Sequence, residues 1–483
     1  MAAAPAVTSY DRVAYPAAVH ETTQPERLAV LARLAGLDPA PPGQARVLEI
    51  GGGTCLGLIA HTAAWPGSRC TGFDLAPTAI AQGRAIAGSA VPNVRLEVLD
   101  ILEAQACLPA GAFDYAIAHG VYAWVPPAVQ QALLALMAHV LAPHGVGFVS
   151  YNALPGGHIR LLMRQMLLHA IDGIEGEQER VAAAYAFLRE YAESPVEDDT
   201  GQPLQTPDLL QQALRQQAVA MARRPASVLF HDELGDCFDP QSLSTVVRAA
   251  GKVGLRFLTD AGRNRWFDGF LTLDDQAVAD PDAHVLRLAQ MRDHVKTCFF
   301  RSTLLAPAAA PIDRRLDPER IAGLWASSRA EPLGAGEFAA GEDRFTLADP
   351  ELAQALAALA AAWPARRPVA EVATDPARRS RLLDLARHGY VHLHPGPAPY
   401  AVVPGERPET APWIRQRLAS GEEQLVTLGL RPLRIEQPAL RALLQAADGT
   451  RTMAELAALD HGIPASQVPA ALAAAGRQAL LRG

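Results

Sequence analysis

The sequence predicts an α/β protein with a doubly wound, mostly parallel sheet, a helical insertion, and α+β winged-helix-like modules toward its C-terminus. Three observations predict this arrangement. Short apolar runs alternate with helical segments over residues 46–152, a glycine-rich turn follows the first run, and the last third carries a weak internal repeat. Strands that alternate with helices at this spacing favour right-handed crossovers, and hence parallel pairing.

The alternating part contains five strand-like runs. Each is apolar throughout, as expected of parallel strands that are covered on both faces. In chain order the runs are RVLEI, RCTGFDL, VRLEVLD, FDYAIAHGV and VGFVSYN. Helices are expected directly after the glycine-rich turn, over residues 79–87 and over residues 129–141.

After residue 151 the pattern becomes mostly helical and is interrupted by the polar stretch ESPVEDDTGQP. Two later segments, SLSTVVRAAGKVGLRFLTD and CFFRSTLL, indicate a return to the sheet, which would close near Leu305. The stretch APAAAPID that follows is typical of a linker. We therefore interpret residues 158–232 as a helical insertion into the sheet domain.

The C-terminal region repeats a pattern of a helix, a short turn and a second helix. Its first copy ends in GYVHLHPGPAPYAVV, which resembles a two-stranded wing. The matching positions are Pro350, Leu352, Leu356, Arg367 and Glu371 in the first copy, and Pro438, Leu440, Leu444, Arg451 and Glu455 in the second. The predicted domains are an N-terminal lid or helical segment (1–40), a cofactor-binding core (41–157), the insertion (158–232), the rest of the sheet domain (233–306) and two winged-helix-like modules (313–405 and 406–483).

Composition and charge exclude several classes of function. Hydrophobic residues make up 49% of the 483 residues, which is enough for sizeable cores. The net charge of −8 and the absence of a Lys/Arg run argue against a nucleic-acid partner. Five scattered cysteines without a CxxC pair argue against disulfides and zinc. The N-terminus lacks signal-peptide features and no apolar run reaches the ~20 residues of a membrane span, so we expect a cytoplasmic protein without membrane insertion.

The glycine-rich turn predicts a ligand site. Glu49, Gly51 and Gly53 lie where the first strand meets its helix, and the glycines let a ligand approach backbone N–H groups. A dinucleotide-binding GxGxxG motif would need a small residue where Leu56 stands, and it needs no acid two residues ahead. An acid there suits a ligand with a free ammonium, such as S-adenosylmethionine.

Two more acids follow the next strands. Asp74, with Leu75 beside it, is placed to accept hydrogen bonds from ribose hydroxyls. Asp100 is placed to accept from an adenine amine, with Ile101 beside the ring. Each acid alone could instead cap a helix or end a strand in solvent, whereas three at successive strand ends favour a nucleoside site.

The glycine-rich turn and the acids at the strand ends resemble those of the class I S-adenosylmethionine-dependent methyltransferases, which have a Rossmann-like sheet. The segments SYDRVAYP, TQPERLAVLARLAGLDP, AHGVYAWVPP, VSYNALPGGH, FHDEL, FRSTLL and LLQAADGTRTMAEL resemble the bacterial members with a methyltransferase regulatory domain, among them the rickettsial-type protein-lysine methyltransferases. The resemblance implies a cofactor site at Glu49, Gly51, Gly53, Asp74, Asp100 and Ile101, and a protein substrate. Cys55 departs from the pattern because it stands where a third glycine is usual, and its Cβ could narrow the approach to the methionine part of the cofactor.

The acceptor site is expected at the ends of the fourth and fifth strands, because ligands bind at the carboxyl ends of parallel strands. Tyr122, Trp124, Tyr151 and Asn152 could form an apolar pocket that lowers the pKa of a lysine, or could simply pack the sheet edge. His119 could accept a proton or line the cofactor, and a structural hydrogen bond is the alternative. His158 could approach the acceptor.

Two further groups stand outside the strand ends. Tyr10 and Tyr15 could close over the cofactor as a lid, or could pack on the surface. His231 is followed by two acids, but neighbouring side chains on one element diverge, so we expect no metal.

The leading hypothesis is a methyltransferase that modifies protein lysine by in-line displacement. The alternatives are a small-molecule methyltransferase, a catalytically idle cofactor-binding regulatory protein, and a dehydrogenase. Cys55 is the one feature that favours the idle protein. A homodimer is left open.

Overall fold

The structure is a computed structural model that describes residues 8–194, 202, 209–271 and 278–483. The predicted N-terminal segment 1–40 is therefore described from residue 8. Most of the polar stretch ESPVEDDTGQP lies outside the described residues.

The strands form one large sheet and several small ones. The central sheet contains β1 (Arg46–Ile50), β2 (Arg69–Asp74), β3 (Val94–Val98), β4 (Phe113–Ala118), β5 (Leu141–Asn152), β6 (Leu255–Asp260) and β7 (Phe300–Pro307). The short strands are β8 (Trp325–Ser328), β9 (Glu331–Gly334), β10 (Glu337–Ala340), β11 (Asp343–Thr346), β12 (Arg367–Pro368), β13 (Val391–His394), β14 (Gln424–Val426) and β15 (Pro432–Arg434).

The helices alternate with the strands of the central sheet and dominate the rest of the chain. They are α1 (Ser9–Arg12), α2 (Pro25–Leu34), α3 (Leu56–Ala64), α4 (Pro77–Ala87), α5 (Ile101–Cys107), α6 (Pro127–Val140), α7 (Gly157–Ala170), α8 (Glu177–Glu193), α9 (Leu209–Ala222), α10 (Ala226–Leu234), α11 (Leu243–Lys252), α12 (Pro281–Val295), α13 (Pro350–Ala362), α14 (Val369–Val372), α15 (Pro376–Arg387), α16 (Pro412–Ala419), α17 (Pro438–Ala446), α18 (Met453–Ala457) and α19 (Val468–Arg477).

The central sheet confirms the predicted fold class. Its strand order is β3-β2-β1-β4-β5-β7-β6, and β1 to β5 pair in parallel while β7 is antiparallel to both β5 and β6. The strand order reverses direction between β1 and β4, so a crevice opens outside their carboxyl ends, where ligands of such sheets bind. The carboxyl ends of β1, β2 and β3, which carry the predicted cofactor acids, are neighbours.

Both faces of this sheet are covered. One face packs on α6 and α11 through a core that includes Leu48 and Met137. The other face packs on α2, and its core continues without a break into residues 310–391. Burial is greatest in the central strands: five of the six residues of β4 are buried, as expected of a parallel strand covered on both faces. At the sheet edge, β3 buries only Leu96 and contains Arg95 and Glu97, so the expectation of an apolar run throughout is wrong for that strand.

The described residues between β5 and α11 are mostly helical, and the bounds 158–232 remain a prediction. Helices α7 to α10 enclose their own apolar core, which includes Met163, Leu188 and Leu229. Within the described part of the sheet domain, two helices were not expected: α5, which is only seven residues long, and α12 before β7. The expected linker is not detached, because β7 extends to Pro307 and Ala310 is buried in the main core.

The C-terminal region contains both predicted helix pairs, α13 with α14 and α17 with α18. The predicted two-stranded wing is wrong. Within that segment only β13 is a strand, and it pairs with β8 of a three-stranded sheet in the order β12-β8-β13. Tyr400, further along the segment, bridges instead to Arg482 near the C-terminus. Over the described ranges, no helix combines the length and the apolar character that crossing a membrane requires.

Candidate active site

The glycine-rich turn after β1 adopts a conformation that a side chain would disturb. Gly51 and Gly53 have positive φ angles of +63° and +56°. A Cβ on Gly51 would lie 2.8 Å from Val121 Cγ2, whereas one on Gly53 would meet no atom within 4 Å. Gly53 therefore faces open space at the carboxyl edge, and the turn presents backbone to whatever occupies that space.

Cys55 completes this turn in the left-handed region, with φ 54° and ψ 34°, at the N-cap of α3. Its side chain is fully buried, and its Sγ lies 2.6 Å from the point where a Cβ on Gly72 would stand. The thiol thus points into the protein between β1 and β2. It does not narrow the open side of the turn, so the expected obstruction by Cys55 is wrong, and with it the one feature that favoured an idle protein.

Asp74 joins the turn to the end of β2. Its Oδ2 accepts a hydrogen bond from the Gly53 N–H at 2.8 Å, and its Oδ1 accepts from the Ala76 N–H at 2.9 Å. Burial raises the pKa of Asp74 despite these donors. Leu75 beside it is 47% exposed, which is unusual for a leucine within a core region and leaves an apolar surface next to the acid.

Glu49 is a buried acceptor in need of a donor. Burial raises the pKa of Glu49 to about 7, although the Cys55 thiol and the Leu58 N–H oppose the shift. Its Oε2 is buried and has no hydrogen-bond partner among the described residues. Gln24 Oε1 is likewise unpartnered, and both residues line one cavity of about 10 Å³, the size of a single small group.

Asp100 lies beside Asp74 because β3 pairs with β2 and the Leu99 N–H donates to the Asp74 carbonyl. Its side chain caps α5 by accepting from the Leu102 N–H at 2.9 Å. The capping alternative therefore holds for this acid, although a carboxylate that caps a helix keeps free lone pairs for a ligand. Ile101 is the first residue of α5 and is half-buried.

The three acids and the two unpartnered oxygens suit the predicted cofactor. Three carboxylates lie at adjacent strand ends, and the Oε2 of Glu49 has no donor among the described residues. This set matches a nucleoside that carries hydroxyl and amine donors and an ammonium group. The open space at Gly53 leaves room for it.

His119 follows β4 and makes a structural contact. Its Nδ1 is 2.9 Å from Ser150 Oγ, which also accepts from the Gly120 N–H. Its ring lies 4.0 Å from that of His20. Burial, with a smaller contribution from His20, lowers the pKa of His119 to about 3, so the imidazole is neutral and too weak a base to take a proton from an ammonium.

The four residues expected to form an acceptor pocket divide into two groups. Tyr122 and Tyr151 pack together with ring centroids 5.9 Å apart, and Tyr151 is fully buried with its hydroxyl 2.9 Å from Thr303 Oγ1. Trp124 instead lies 4.8 Å from Phe238. The Arg160 guanidinium sits 5.0 Å from both of those rings.

The packing alternative therefore describes Trp124 and Tyr151. Asn152 is nearly buried and its carbonyl accepts from the Gln241 N–H at 3.0 Å. His158 is exposed at the start of α7, and its N–H donates to the Pro155 carbonyl.

The N-terminal segment crosses from the core to the insertion. Asp11 accepts from the Thr78 N–H and hydroxyl on α4, whereas Arg12 pairs with Glu177 on α8 at 2.7 Å. Tyr10 stacks on His231 with centroids 4.1 Å apart, and the Tyr15 hydroxyl donates to Asp232 at 3.3 Å. Tyr10 and Tyr15 thus rest on the insertion, and Tyr10 is close enough to Asp74 for that carboxylate to contribute, after burial and Asp232, to raising its pKa to about 12.

His231 and the two acids after it have protein partners. His231 Nε2 is 2.7 Å from the Val13 carbonyl. Arg160 and Arg224 both form ion pairs with Asp232 and with Glu233.

Sequence reasoning missed His20 and Gln24, which face the predicted strand ends from the N-terminal segment. Gln24 lies inside TQPERLAVLARLAGLDP, a segment that carried the family resemblance, and that was the available signal. His20 gave no signal, because only the fold brings it to His119.

Comparisons with known proteins agree with this geometry. A family model described as "Methyltransferase domain" matches residues 47–145. "Uncharacterized protein RP028" of Rickettsia prowazekii is 32% identical over 229 residues, which are 47% of this chain and 88% of that protein.

Solved structures extend the likeness to almost the whole chain. PKMT2 from Rickettsia typhi superposes with a TM-score of 0.77 at 22% identity, covering 97% of this chain and 100% of that one. The same protein in complex with AdoHcy gives a TM-score of 0.74 at 21% identity, again covering 97% and 100%. At these identities the structures share the fold.

Proposed function

The chain belongs to the class I S-adenosylmethionine-dependent methyltransferases, and we propose that it methylates lysine side chains of a protein. A polypeptide acceptor is supported by one observation: the surface beside the proposed cofactor site is open to solvent. Phe299 and Phe300 are 45% and 44% exposed where β7 begins, and the Phe300 ring lies 6.2 Å from His119. The likeness to PKMT2 supports the same acceptor.

The residues of the cofactor edge have distinct roles in this proposal. Glu49 and Gln24 would hold the ammonium, Asp74 the ribose hydroxyls, and Asp100 with Ile101 and Leu75 the adenine. When bound, S-adenosylmethionine supplies an electrophilic methyl group. The protein aligns the acceptor and excludes water, and it needs no catalytic triad for an in-line displacement.

The acceptor lysine must be neutral to react. Removing its proton at pH 7 from a pKa of ~10.4 costs about 4–5 kcal/mol, which desolvation can supply. His119 is neutral and hydrogen-bonded to Ser150. It would therefore hold the loop after β4 in place rather than take the proton of the lysine. The exposed aromatic rings Phe299 and Phe300 would cover the lysine stem and exclude water.

Labelled cofactor tests this proposal directly. Full-length protein is incubated with methyl-labelled S-adenosylmethionine and bacterial lysate, and labelled proteins are digested and mapped by mass spectrometry. We expect methyl groups on lysine, and none with Asp74→Ala, which removes the carboxylate that ties Gly53 to β2. Label on small molecules alone, or on another residue type, would refute a protein-lysine acceptor.

A further inference from the structure

A large cavity with excess positive charge lies next to the proposed acceptor edge. It has a volume of about 1020 Å³ and is bounded by α2, the segment after β6, and both C-terminal modules. Among the described residues its lining carries six arginines and three carboxylates, in a chain whose net charge is −8. The arginines are Arg27, Arg263, Arg329, Arg366, Arg431 and Arg477.

Two of these arginines are neutralised within the cavity wall. Arg263 forms an ion pair with Glu21, and Arg366 forms one with Glu26 at 2.7 Å. The third carboxylate, Asp343, interacts with the Tyr390 hydroxyl. With six arginines against three carboxylates, the lining keeps an excess of three positive charges.

Arg329 and Arg431 are the centre of this excess charge. Their guanidinium carbons lie 4.4 and 5.4 Å from the centroid of the same ring, that of Trp363. Neither side chain forms an ion pair with a described residue. Partial desolvation lowers the pKa of Arg329, and repulsion from Arg431 and Arg263 lowers it further, so the two cations repel each other where they lie.

A third arginine of the cavity lining comes from α2. Arg27 donates through Nε to the Ala261 carbonyl, while its Nη2 is buried without a hydrogen-bond partner in the described structure. Burial keeps His392, the neighbouring titratable group, neutral by lowering its pKa to about 4. The wall thus offers planar, permanently charged donors, which match carboxylates in pairs of hydrogen bonds.

The cavity lies close to the proposed acceptor site along the N-terminal segment. Val19 and Glu21 line it, and His20 between them lies 4.0 Å from His119 at the end of β4. A chain that presents a lysine at this edge can therefore extend into the cavity. Exposure of Arg263, Arg329 and Arg431 to solvent shows that the cavity is open to such a chain.

We propose that this cavity binds acidic side chains of the polypeptide that carries the acceptor lysine, with Arg329 and Arg431 on Trp363 as the carboxylate-binding pair. This inference rests on the proposed function, because it assigns the substrate class of the same site: lysines with aspartate or glutamate nearby. Trp363 fixes the two guanidiniums before the substrate arrives, which lowers the entropy lost on binding.

Peptide binding tests the pair without requiring methyl transfer. Fluorescent ten-residue peptides with a central lysine carry either four Asp/Glu residues or the matching Asn/Gln residues, and anisotropy is measured with the full-length protein at low salt. We expect the acidic peptide to bind at least about 10-fold more tightly. The double variant R329Q/R431Q should lose this preference. The control variant R69Q should keep it, because Arg69 is an exposed residue at the amino-terminal end of β2 and does not line the cavity.

Two controls keep the outcomes distinct. Retained binding of S-adenosylmethionine by R329Q/R431Q shows that the variant is folded, and an acidic peptide whose lysine is replaced by arginine should bind as well as the parent. If that preference holds while no lysine is ever methylated, only the proposed function fails. Equal binding of acidic and amide peptides, an unchanged preference in R329Q/R431Q, or binding of inorganic pyrophosphate without any peptide preference would each overturn the cavity's assignment.

Discussion

At the scale of a single residue, Glu49 lacks a hydrogen-bond donor that the proposed cofactor contact would supply. A carboxylate moved out of water loses solvation, and here one oxygen gains no donor in return. The nearby Asp74 adds repulsion, so the pKa of Glu49 rises to about 7. A bound ammonium would supply both the missing donor and the missing charge, and it would bring that pKa back down.

Cofactor affinity should therefore depend on pH in a defined direction. Below pH 7 Glu49 is protonated in the free protein, so binding of a cationic ammonium must first expel that proton. We expect S-adenosylmethionine affinity to fall by about 10-fold per pH unit below pH 7 and to level off from pH 7 to 7.5, where an α-ammonium of pKa ~7.7 is still mostly charged. Calorimetry between pH 5.5 and 7.5 measures this slope.

The matched variants separate Glu49 from general effects of charge. Glu49→Gln should bind about 10- to 100-fold more weakly at pH 7.5, as expected from the loss of a charged hydrogen bond of about 1.5–3 kcal/mol, and should show a flat profile. Glu97→Gln on β3, whose carboxylate is held by exposed Arg95, should retain the slope. A flat profile in the unmodified protein would contradict the role given to Glu49.

At the scale of elements, strand β7 depends on a buried cluster of ions. Arg301 is fully buried and pairs with Asp260 at the end of β6, with Asp268 and with Asp293 on α12. These ion pairs raise the pKa of Arg301 against the opposing effect of burial. Because β7 runs antiparallel between β5 and β6, the cluster fixes the strand that begins with Phe300 at the acceptor edge.

Removing the central cation should be strongly destabilising. Arg301→Met leaves buried carboxylates without a partner, so we expect the free energy of unfolding to fall by about 3–5 kcal/mol, because breaking a buried pair costs that much. Urea unfolding followed by circular dichroism measures the change. Arg95→Met, which breaks an exposed pair with Glu97, should cost at most about 1 kcal/mol, and similar losses for both variants would be inconsistent with this account.

At the scale of the whole molecule, the C-terminal module packs against the sheet domain where α16 contacts the end of α4. Trp413 on α16 is buried, and its Nε1 donates to the Ile86 carbonyl near the end of α4. Gln416 accepts from the Ala90 N–H and donates to the carbonyls that close the same helix. Since α4 begins just after Asp74, the module braces the helix that follows the proposed ribose acid.

Trp413→Ala should loosen this docking. Truncating a buried tryptophan costs about 3–5 kcal/mol, and here the lost contacts join two parts of the chain. We expect faster hydrogen exchange across residues 406–483 and in the last turn of α4, with little change in the insertion. Leu459→Ala, a half-exposed position in the same module, should leave exchange unchanged. Uniformly faster exchange throughout the chain would argue against a local brace.

The sequence by itself determined the sheet, its parallel order of elements, and the places of Glu49, Gly51, Gly53 and Asp74. These follow from local patterns: apolar runs, glycines that a tight turn requires, and acids directly after strands. It did not predict α5, because seven residues give too few turns for a helical period to be recognised. It also predicted a two-stranded wing where the structure has only β13, which pairs with β8.

Only the tertiary structure decided the contacts between distant segments. His20 meets His119, Arg160 covers Trp124, and Arg329 and Arg431 share Trp363, although each set is separated by tens of residues or more along the chain. Such pairs leave no periodic trace, because their positions depend on how whole elements pack rather than on local backbone preference. The edge that carries the proposed cofactor acids was predictable from the sequence because those acids directly follow strands. The charged cavity became visible only in the folded chain, because its lining comes from distant segments.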